Sequence, residues 1–136
     1  GVEYLGTLEI PVLELELPII SQWSDSLLKI APCRYQGSAY LDNMILAGHN
    51  YRAHFAGLKN LQIGDSVIFT DAEGSCFHYE VSGLEELPGT AICEMESGDW
   101  DLTLFTCTAG GSARFTVRCV KSAPSHAPGG EPDQVP

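Results

Sequence analysis

Strand-type alternation of apolar and polar residues dominates the chain. Glu14 and Glu16 alternate with the leucines at 13, 15 and 17, which is the period of two typical of a half-buried β-strand. Pro11 and Pro18 interrupt this stretch, so it predicts two short strands or an edge strand. Further strands are predicted over residues 44–47, 66–70, 76–81, 102–107 and 114–121.

The connections between these strands carry turn signals. Residues 21–30 are the one helix candidate, with Ser24 as its N-cap and Pro32 beyond its end. Residues 50–60 predict a loop or one helical turn, and residues 71–75 predict a hairpin turn. Residues 84–100 are acidic, contain proline and glycine, and predict a long loop. Seven or eight short strands with one helix indicate an all-β fold, a closed barrel or a sandwich.

The length and composition fit one folded domain. The chain has 136 residues, of which 44% are hydrophobic, enough for one core. Residues 122–136 are rich in proline and glycine, so residues 1–121 are predicted to fold and the remainder to form a disordered tail. No stretch approaches the roughly 20 apolar residues of a membrane span. Because the sequence starts at Gly1 without a signal peptide, an anchor outside these residues is compatible with it.

Charge excludes one class of partner. The chain has 18 acidic and seven basic residues and a formal net charge of −11. Nucleic-acid binding needs lysines and arginines that neutralise phosphates, so it is not expected here.

Five cysteines stand at 33, 76, 93, 107 and 119, and none forms a Cys-x-x-Cys pair. Zinc ribbons and thioredoxin-type redox motifs are therefore not indicated. The odd count leaves at least one thiol without a partner in the chain. The cysteines at 33, 76, 93 and 119 are each expected to be small buried apolar side chains.

The last hairpin places a cysteine opposite an arginine. If residues 108–113 form its loop, Cys107 and Arg114 face each other on neighbouring strands, with Cβ atoms about 4.5–5.5 Å apart. A guanidinium so close to the sulfur favours the thiolate. Arg118 lies on the same face but about 13 Å further along the strand. We expect Arg118 to be solvated or salt-bridged.

A cysteine nucleophile also needs a histidine base. His126 lies in the tail, and His78 lies in a strand pattern that predicts a half-buried structural residue. His49 directly follows an apolar strand and Gly48, where a loop exposes it. His54 lies five residues further on. Spacing favours His49 but leaves both histidines open.

The motifs around these residues resemble those of sortases. Residues 102–107, LTLFTC, resemble the TLxTC signature of that family, and Arg114 resembles its arginine on the next strand. Residues 45–49, ILAGH, resemble its histidine motif, and residues 6–18 resemble its opening strands. The resemblance covers about residues 4–121.

This resemblance implies a closed eight-stranded β-barrel with one or two short helices. It implies that Cys107 attacks the Thr–Gly bond of an LPxTG-type sorting signal and forms a thioacyl-enzyme. An amine acceptor, such as a peptidoglycan precursor or a pilin lysine, then resolves it. His49 acts as general acid and base, and Arg114 binds the substrate and stabilises the oxyanion.

Three further residues match substrate-binding positions. Thr106 matches the threonine before the cysteine and is expected to assist the oxyanion. Ala47 and Phe105 match positions that line the sorting-signal groove, and strand alternation independently places Phe105 on the face of Cys107.

No cofactor and no metal is expected. Calcium is the one ion considered, because residues in and next to the long loop carry many oxygen ligands. These residues are Glu85, Glu86, Glu94, Glu96, Asp99 and Asp101.

The resemblance also implies an extracytoplasmic enzyme on a Gram-positive cell surface, membrane-anchored through a segment outside these residues.

Two features depart from the common family pattern. The turn after Cys107 is short, and residues 50–55 suggest housekeeping or sporulation-associated relatives more than pilin polymerases. Residues 87–91, LPGTA, resemble a sorting signal. Acidic residues follow them instead of an apolar span, so we interpret them as a coincidence.

Two other interpretations stay open. One is another cysteine acyltransferase or peptidase of the cell wall, such as an L,D-transpeptidase. That motif has Ser-His-Gly before the cysteine and an arginine almost directly after it, whereas Arg114 lies seven residues after Cys107. The other is a non-enzymatic β-barrel surface module in which the cysteines are structural.

Overall fold

Eight strands form a closed barrel in the computed structural model, which describes residues 2–48, 56–88, 100–107 and 113–122. In chain order the strands are β1 (Tyr4–Ile10), β2 (Leu15–Ile20), β3 (Cys33–Gln36), β4 (Met44–Gly48), β5 (Ser66–Asp71), β6 (Cys76–Pro88), β7 (Leu102–Cys107) and β8 (Ala113–Lys121). The described helical segments are one short α-helix, α1 (Asp25–Leu28), and three 3-10 turns, Pro11–Leu13, Ala39–Leu41 and Ala56–Asn60. The predicted all-β class is confirmed.

The strands follow each other around the barrel in the order β1-β2-β3-β4-β7-β8-β6-β5, and β5 pairs back onto β1. Most pairs are antiparallel, whereas β2–β3 and β4–β7 are parallel. Closure gives each of the described strands a paired neighbour on both sides. The predicted closed eight-stranded barrel is therefore confirmed, and the sandwich alternative is wrong.

Strand alternation sorts the buried residues into an interior and an outer layer. The interior contains the alternating apolar side chains of most strands, among them Leu8, Ile19, Leu46, Phe69, Tyr79, Leu104 and Val117. A second buried cluster, which we call the outer cluster, consists of Ile45, Ala47, Leu87 and Phe105, with Leu28 and Tyr35 packed against it. Because these residues alternate with interior residues of β4 and β7, the outer cluster lies on the outside of the barrel wall.

The described α-helix confirms the predicted cap. Ser24 is extended, and its hydroxyl accepts a hydrogen bond from the backbone N–H of Leu27 at 3.1 Å. The helix is shorter than the ten residues predicted. Residues 21–23 precede the cap and are not helical, and the chain then returns so that Cys33 pairs with Ile20.

The prediction of a loop over residues 84–100 is wrong for its first five residues. β6 runs on to Pro88, and its residues from Leu84 onward pair with Val117 through Ala113 of β8. The pairing satisfies backbone N–H and C=O groups, so tertiary hydrogen bonding outweighs the acidic, proline-containing composition. Residues 89–99 lie outside the described part of the chain.

The other predicted strands over residues 44–47, 66–70, 102–107 and 114–121 are confirmed to within one residue. The predicted tail falls almost entirely on residues 123–136, which lie outside the described part, so its disorder stays a prediction. Among the described helices, none has the length and apolar character that crossing a bilayer requires.

Candidate active site

The β7–β8 register places Cys107 directly opposite Arg114. The two strands are antiparallel. Phe105, two residues before Cys107, pairs with Thr116, two residues after Arg114. Ala113 already belongs to β8, so this strand begins one residue earlier than predicted. The Cys107 side chain lies outside the described part. The cross-strand opposition inferred from spacing is nevertheless present in the backbone.

Strand β4 ends beside the end of β7. The pair is parallel, with Ala47 opposite Phe105 and Gly48 opposite Thr106. His49 is the next residue after β4 in the sequence, and both it and His54 lie outside the described residues. The choice between the two histidines therefore stays a prediction. His78 is half-buried, as predicted, near the start of β6, at the other end of that strand from Leu87.

The Arg114 guanidinium lies over an aromatic ring. Its Cζ is 5.0 Å from the centroid of the Phe105 ring. Its Nε and Nη1 atoms are buried and have no hydrogen-bond partner among the described residues. Leaving a buried donor unsatisfied costs about 1–3 kcal/mol, and more when the group is charged. A carbonyl oxygen or an oxyanion placed against these two atoms would therefore be bound favourably.

The outer cluster forms an apolar strip beside this guanidinium. Ala47 and Phe105 are buried, at 2% and 5% exposure. On the side of β8 away from β7, Leu87 of β6 pairs with Arg114, and it packs in the same cluster. Leu87 and Tyr35 were not among the residues predicted for the site. Leu87 is apolar and follows Glu85 and Glu86, a pattern that indicates burial but not its place in the barrel, whereas Tyr35 carried no signal.

Thr106 occupies the opposite side of β7 from Phe105. It is 4% exposed, and its hydroxyl is buried without a hydrogen-bond partner in the described part of the chain. Alternation places this side chain towards the barrel interior. Any contribution of Thr106 to an oxyanion on the outer surface would therefore come from its backbone.

Arg118 is engaged in an ion pair. Its Nε donates to Oε2 of Glu85 at 2.7 Å, and its Nη1 donates to the hydroxyl of Thr103 at 3.1 Å. The prediction of a salt-bridged arginine is confirmed. Two arginines on one face of β8 thus have different surroundings, a carboxylate for Arg118 and an aromatic ring for Arg114.

The remaining cysteines fall into two groups. Cys33 and Cys119 are buried and free, as predicted, and burial raises the pKa of Cys33 and raises the pKa of Cys119 to about 12. Both are therefore neutral thiols near pH 7. The predicted burial of Cys76 is wrong. Cys76 is exposed because it lies on the outward side of β6, opposite Thr70. Cys93 lies outside the described residues.

The acidic residues considered for calcium do not gather within the described ranges. No group of three or more histidine, cysteine, aspartate or glutamate side chains is placed to hold a metal ion there. Glu85 binds Arg118, and Oδ2 of Asp101 accepts from the backbone N–H of Lys121 at 2.7 Å. Glu94, Glu96 and Asp99 fall outside those ranges.

The segment that resembles a sorting signal begins inside the barrel wall. Leu87 and Pro88 are the last residues of β6 and pair with Arg114 and Ala113. These two residues are therefore structural, in agreement with the interpretation as a coincidence. Residues 89–91 are not among those described.

Comparisons with known proteins bear on the family and the fold. Residues 8–123 match the model of the sortase domain. The structure is similar to sortase C from Clostridium perfringens SM101, with a TM-score of 0.73, 25% identity, and coverage of 89% of this chain and 71% of that chain. A C. perfringens sortase C structure with the C-terminal cell wall sorting motif gives a TM-score of 0.77 at 26% identity and the same coverage.

The fold is also shared at lower identity. A lid mutant of sortase A from Corynebacterium diphtheriae gives a TM-score of 0.77 at 20% identity, covering 92% of this chain and 73% of that chain. No curated protein sequence matches the chain.

Proposed function

Because the chain belongs to the sortase family and is a cysteine transpeptidase, we propose that it cleaves an LPxTG-type sorting signal between threonine and glycine and transfers the acyl part to an amine. One observation carries the proposal. The backbone register sets Cys107 opposite an arginine with two buried nitrogen atoms that have no hydrogen-bond partner among the described residues.

In the proposed first step the Cys107 thiolate attacks the threonine carbonyl carbon. A C–S bond forms, and the carbonyl oxygen becomes an oxyanion. Arg114 donates hydrogen bonds from Nε and Nη1 to this oxygen or to an adjacent substrate carbonyl, which favours the transition state over the ground state. The guanidinium also favours the thiolate before the attack.

In the proposed second step the C–N bond to glycine breaks and leaves a thioester. His49, in its imidazolium form, gives a proton to the departing amine. The acceptor amine then attacks the thioester, His49 takes its proton, and the Cys107 thiolate leaves. Every proton and electron pair is accounted for by these side chains and the two substrates.

Apolar contacts with the donor peptide are proposed for Ala47 and Phe105, which line the strip next to Arg114. Thr106 contributes through the backbone beside Cys107. The C. perfringens sortase C structure that contains a cell wall sorting motif supports a sorting-signal peptide as donor. The acceptor is a peptidoglycan precursor or a pilin lysine. The family supports action outside the cytoplasm, at a Gram-positive cell surface.

The test uses an LPxTG-type peptide with and without an amine acceptor. Mass spectrometry of the intact protein should show a thioacyl adduct on Cys107, and the acceptor should convert it into a transpeptidation product. The Cys107→Ala variant should form neither. An unmodified Cys107 across a broad set of such peptides would contradict the proposal.

A further inference from the structure

Three aromatic rings lead across the outer surface to Arg114. The rings of Trp23 and Tyr35 have centroids 5.6 Å apart and meet edge to face, with an interplanar angle of 76°. Tyr35 and Phe105 are 5.4 Å apart at 86°. The Arg114 Cζ lies 5.0 Å from the Phe105 centroid. The series starts at Trp23, which is 47% exposed, and ends at the candidate site.

A backbone irregularity directs the middle ring. The β3–β4 register shifts between Arg34 and Gln36, so Tyr35 is the extra residue of a β-bulge. Bulges change the direction of a side chain and occur frequently next to active sites. Here the bulge belongs to a different strand from Phe105, and the Tyr35 ring restrains the Phe105 ring from the side.

An aromatic ring can hold a guanidinium without occupying its hydrogen-bond donors. The ring face attracts the positive charge through its quadrupole, whereas a carboxylate would bind the N–H groups and neutralise the charge. Arg118 shows the second situation, because its Nε is bonded to Glu85. Arg114 shows the first, because its Nε and Nη1 have no partner among the described residues.

We propose that Phe105 is a positioning residue for Arg114: its ring, braced by Tyr35 and Trp23, fixes the guanidinium while leaving its N–H groups available for the substrate oxygen. The proposal rests on the proposed function, in which Arg114 stabilises the oxyanion. It differs from a role of Phe105 in lining the peptide groove, because a positioning residue acts through Arg114.

The test is a double-mutant cycle on the rate of thioacyl formation at saturating peptide. A cation–π contact of this kind corresponds to roughly a twofold to thirtyfold effect on the rate. We expect Phe105→Leu to lower the acylation rate by about that factor, and Phe105→Tyr, which keeps the ring, to lower it less than Phe105→Leu does. In an Arg114→Ala background the effect of Phe105→Leu should disappear.

A loss of equal size in both backgrounds, or a rise in KM at an unchanged acylation rate, would overturn the proposal and assign Phe105 to the groove alone. If Phe105→Leu does not fold, Tyr35→Leu replaces it in the same cycle. It should lower the acylation rate in the Arg114 background and have no effect in Arg114→Ala.

A second readout does not depend on activity. The ring current of Phe105 should shift the NMR resonances of the Arg114 side chain upfield in the native protein and in Phe105→Tyr, and this shift should be lost in Phe105→Leu. If the native protein shows the shift but forms no thioester, the proposed function fails and the positioning contact stands. If the shift is absent while thioester forms, the positioning contact fails.

The barrel offers a matched control at its far end. Lys121 Nζ lies 5.6 Å from the Phe77 ring centroid, and Tyr40 meets that ring edge to face at 5.0 Å. Phe77→Leu therefore removes a similar cation–π contact away from the site. The acylation rate should be unchanged in this variant, and an equal loss there would show that the effect of Phe105→Leu is general destabilisation.

Discussion

The same substitution at the two arginines of β8 separates chemistry from stability. Arg114→Lys keeps the positive charge but replaces a planar fork with one ammonium. Arg114 presents two buried nitrogen atoms without partners among the described residues, and lysine cannot place donors at both positions. Removing one oxyanion donor typically costs about 10²–10³ in kcat. Because the charge remains, we expect a loss in kcat/KM of about tenfold to a hundredfold.

Arg118→Lys should behave differently. Arg118 joins Glu85 and Thr103 at a side chain that is 4% exposed, and lysine cannot reproduce both of these hydrogen bonds with the geometry of the planar fork. Breaking a buried pair costs several kcal/mol, but Glu85 is 41% exposed, which lowers the effect. We expect a loss of about 1–2 kcal/mol in the free energy of unfolding, with kcat/KM changed less than about threefold.

The assay measures kcat/KM with an LPxTG-type peptide and unfolding by denaturant for both variants. Comparable losses of activity in Arg114→Lys and Arg118→Lys would refute the reasoning, since the two residues would then act through the stability of the same face. Full activity in Arg114→Lys would remove Arg114 from the site.

Three further predictions concern Leu87, the two candidate histidines and Cys119. Leu87 pairs with Arg114 across β6 and β8, so Leu87→Glu should form an ion pair with Arg114 and lower kcat at pH 7 much more than the neutral control Leu87→Gln; equal losses would contradict it. His49→Ala should lower turnover more than about a hundredfold, whereas His54→Ala should lower it less than about threefold, and the two are compared in one peptide assay. Burial raises the Cys119 pKa to about 12, so the folded state holds its proton between about pH 9 and 12 while the unfolded state loses it. The stability of the native protein should therefore fall as pH rises through that window, and the stability of Cys119→Ala should fall less steeply. Thermal unfolding of both proteins at several pH values measures this.

The local part of the architecture could be predicted from the sequence, and the long-range part could not. The β7–β8 hairpin follows from alternation on both sides of a short glycine-containing turn, and the opposition of Cys107 and Arg114 follows from counting. The full length of β6 does not follow, because residues 84–88 gain their strand conformation by pairing with β8. The exposure of Cys76 likewise depends on which side of β6 faces the interior.

The same distinction applies to the site. Arg114 was predictable from spacing, whereas Tyr35 and Leu87 reach the outer cluster from β3 and β6, which the sequence gives no reason to place there. The bulge at Tyr35 is a further obstacle, because a register shift has no signature in the pattern of apolar residues. The family resemblance selected His49, because spacing alone did not decide between His49 and His54.

The contrast between the two arginines depends on the residues that β6 sets against them. Glu85 and Leu87 lie on the same outward side of β6, two residues apart, and pair with Thr116 and Arg114. The carboxylate reaches diagonally to Arg118, while the leucine contributes only apolar surface beside Arg114. A barrel wall that buries one guanidinium with a carboxylate therefore leaves the other against Phe105 and Leu87. This arrangement keeps a positive charge in an apolar strip, where its interaction with a developing oxyanion is strengthened by the low local polarity.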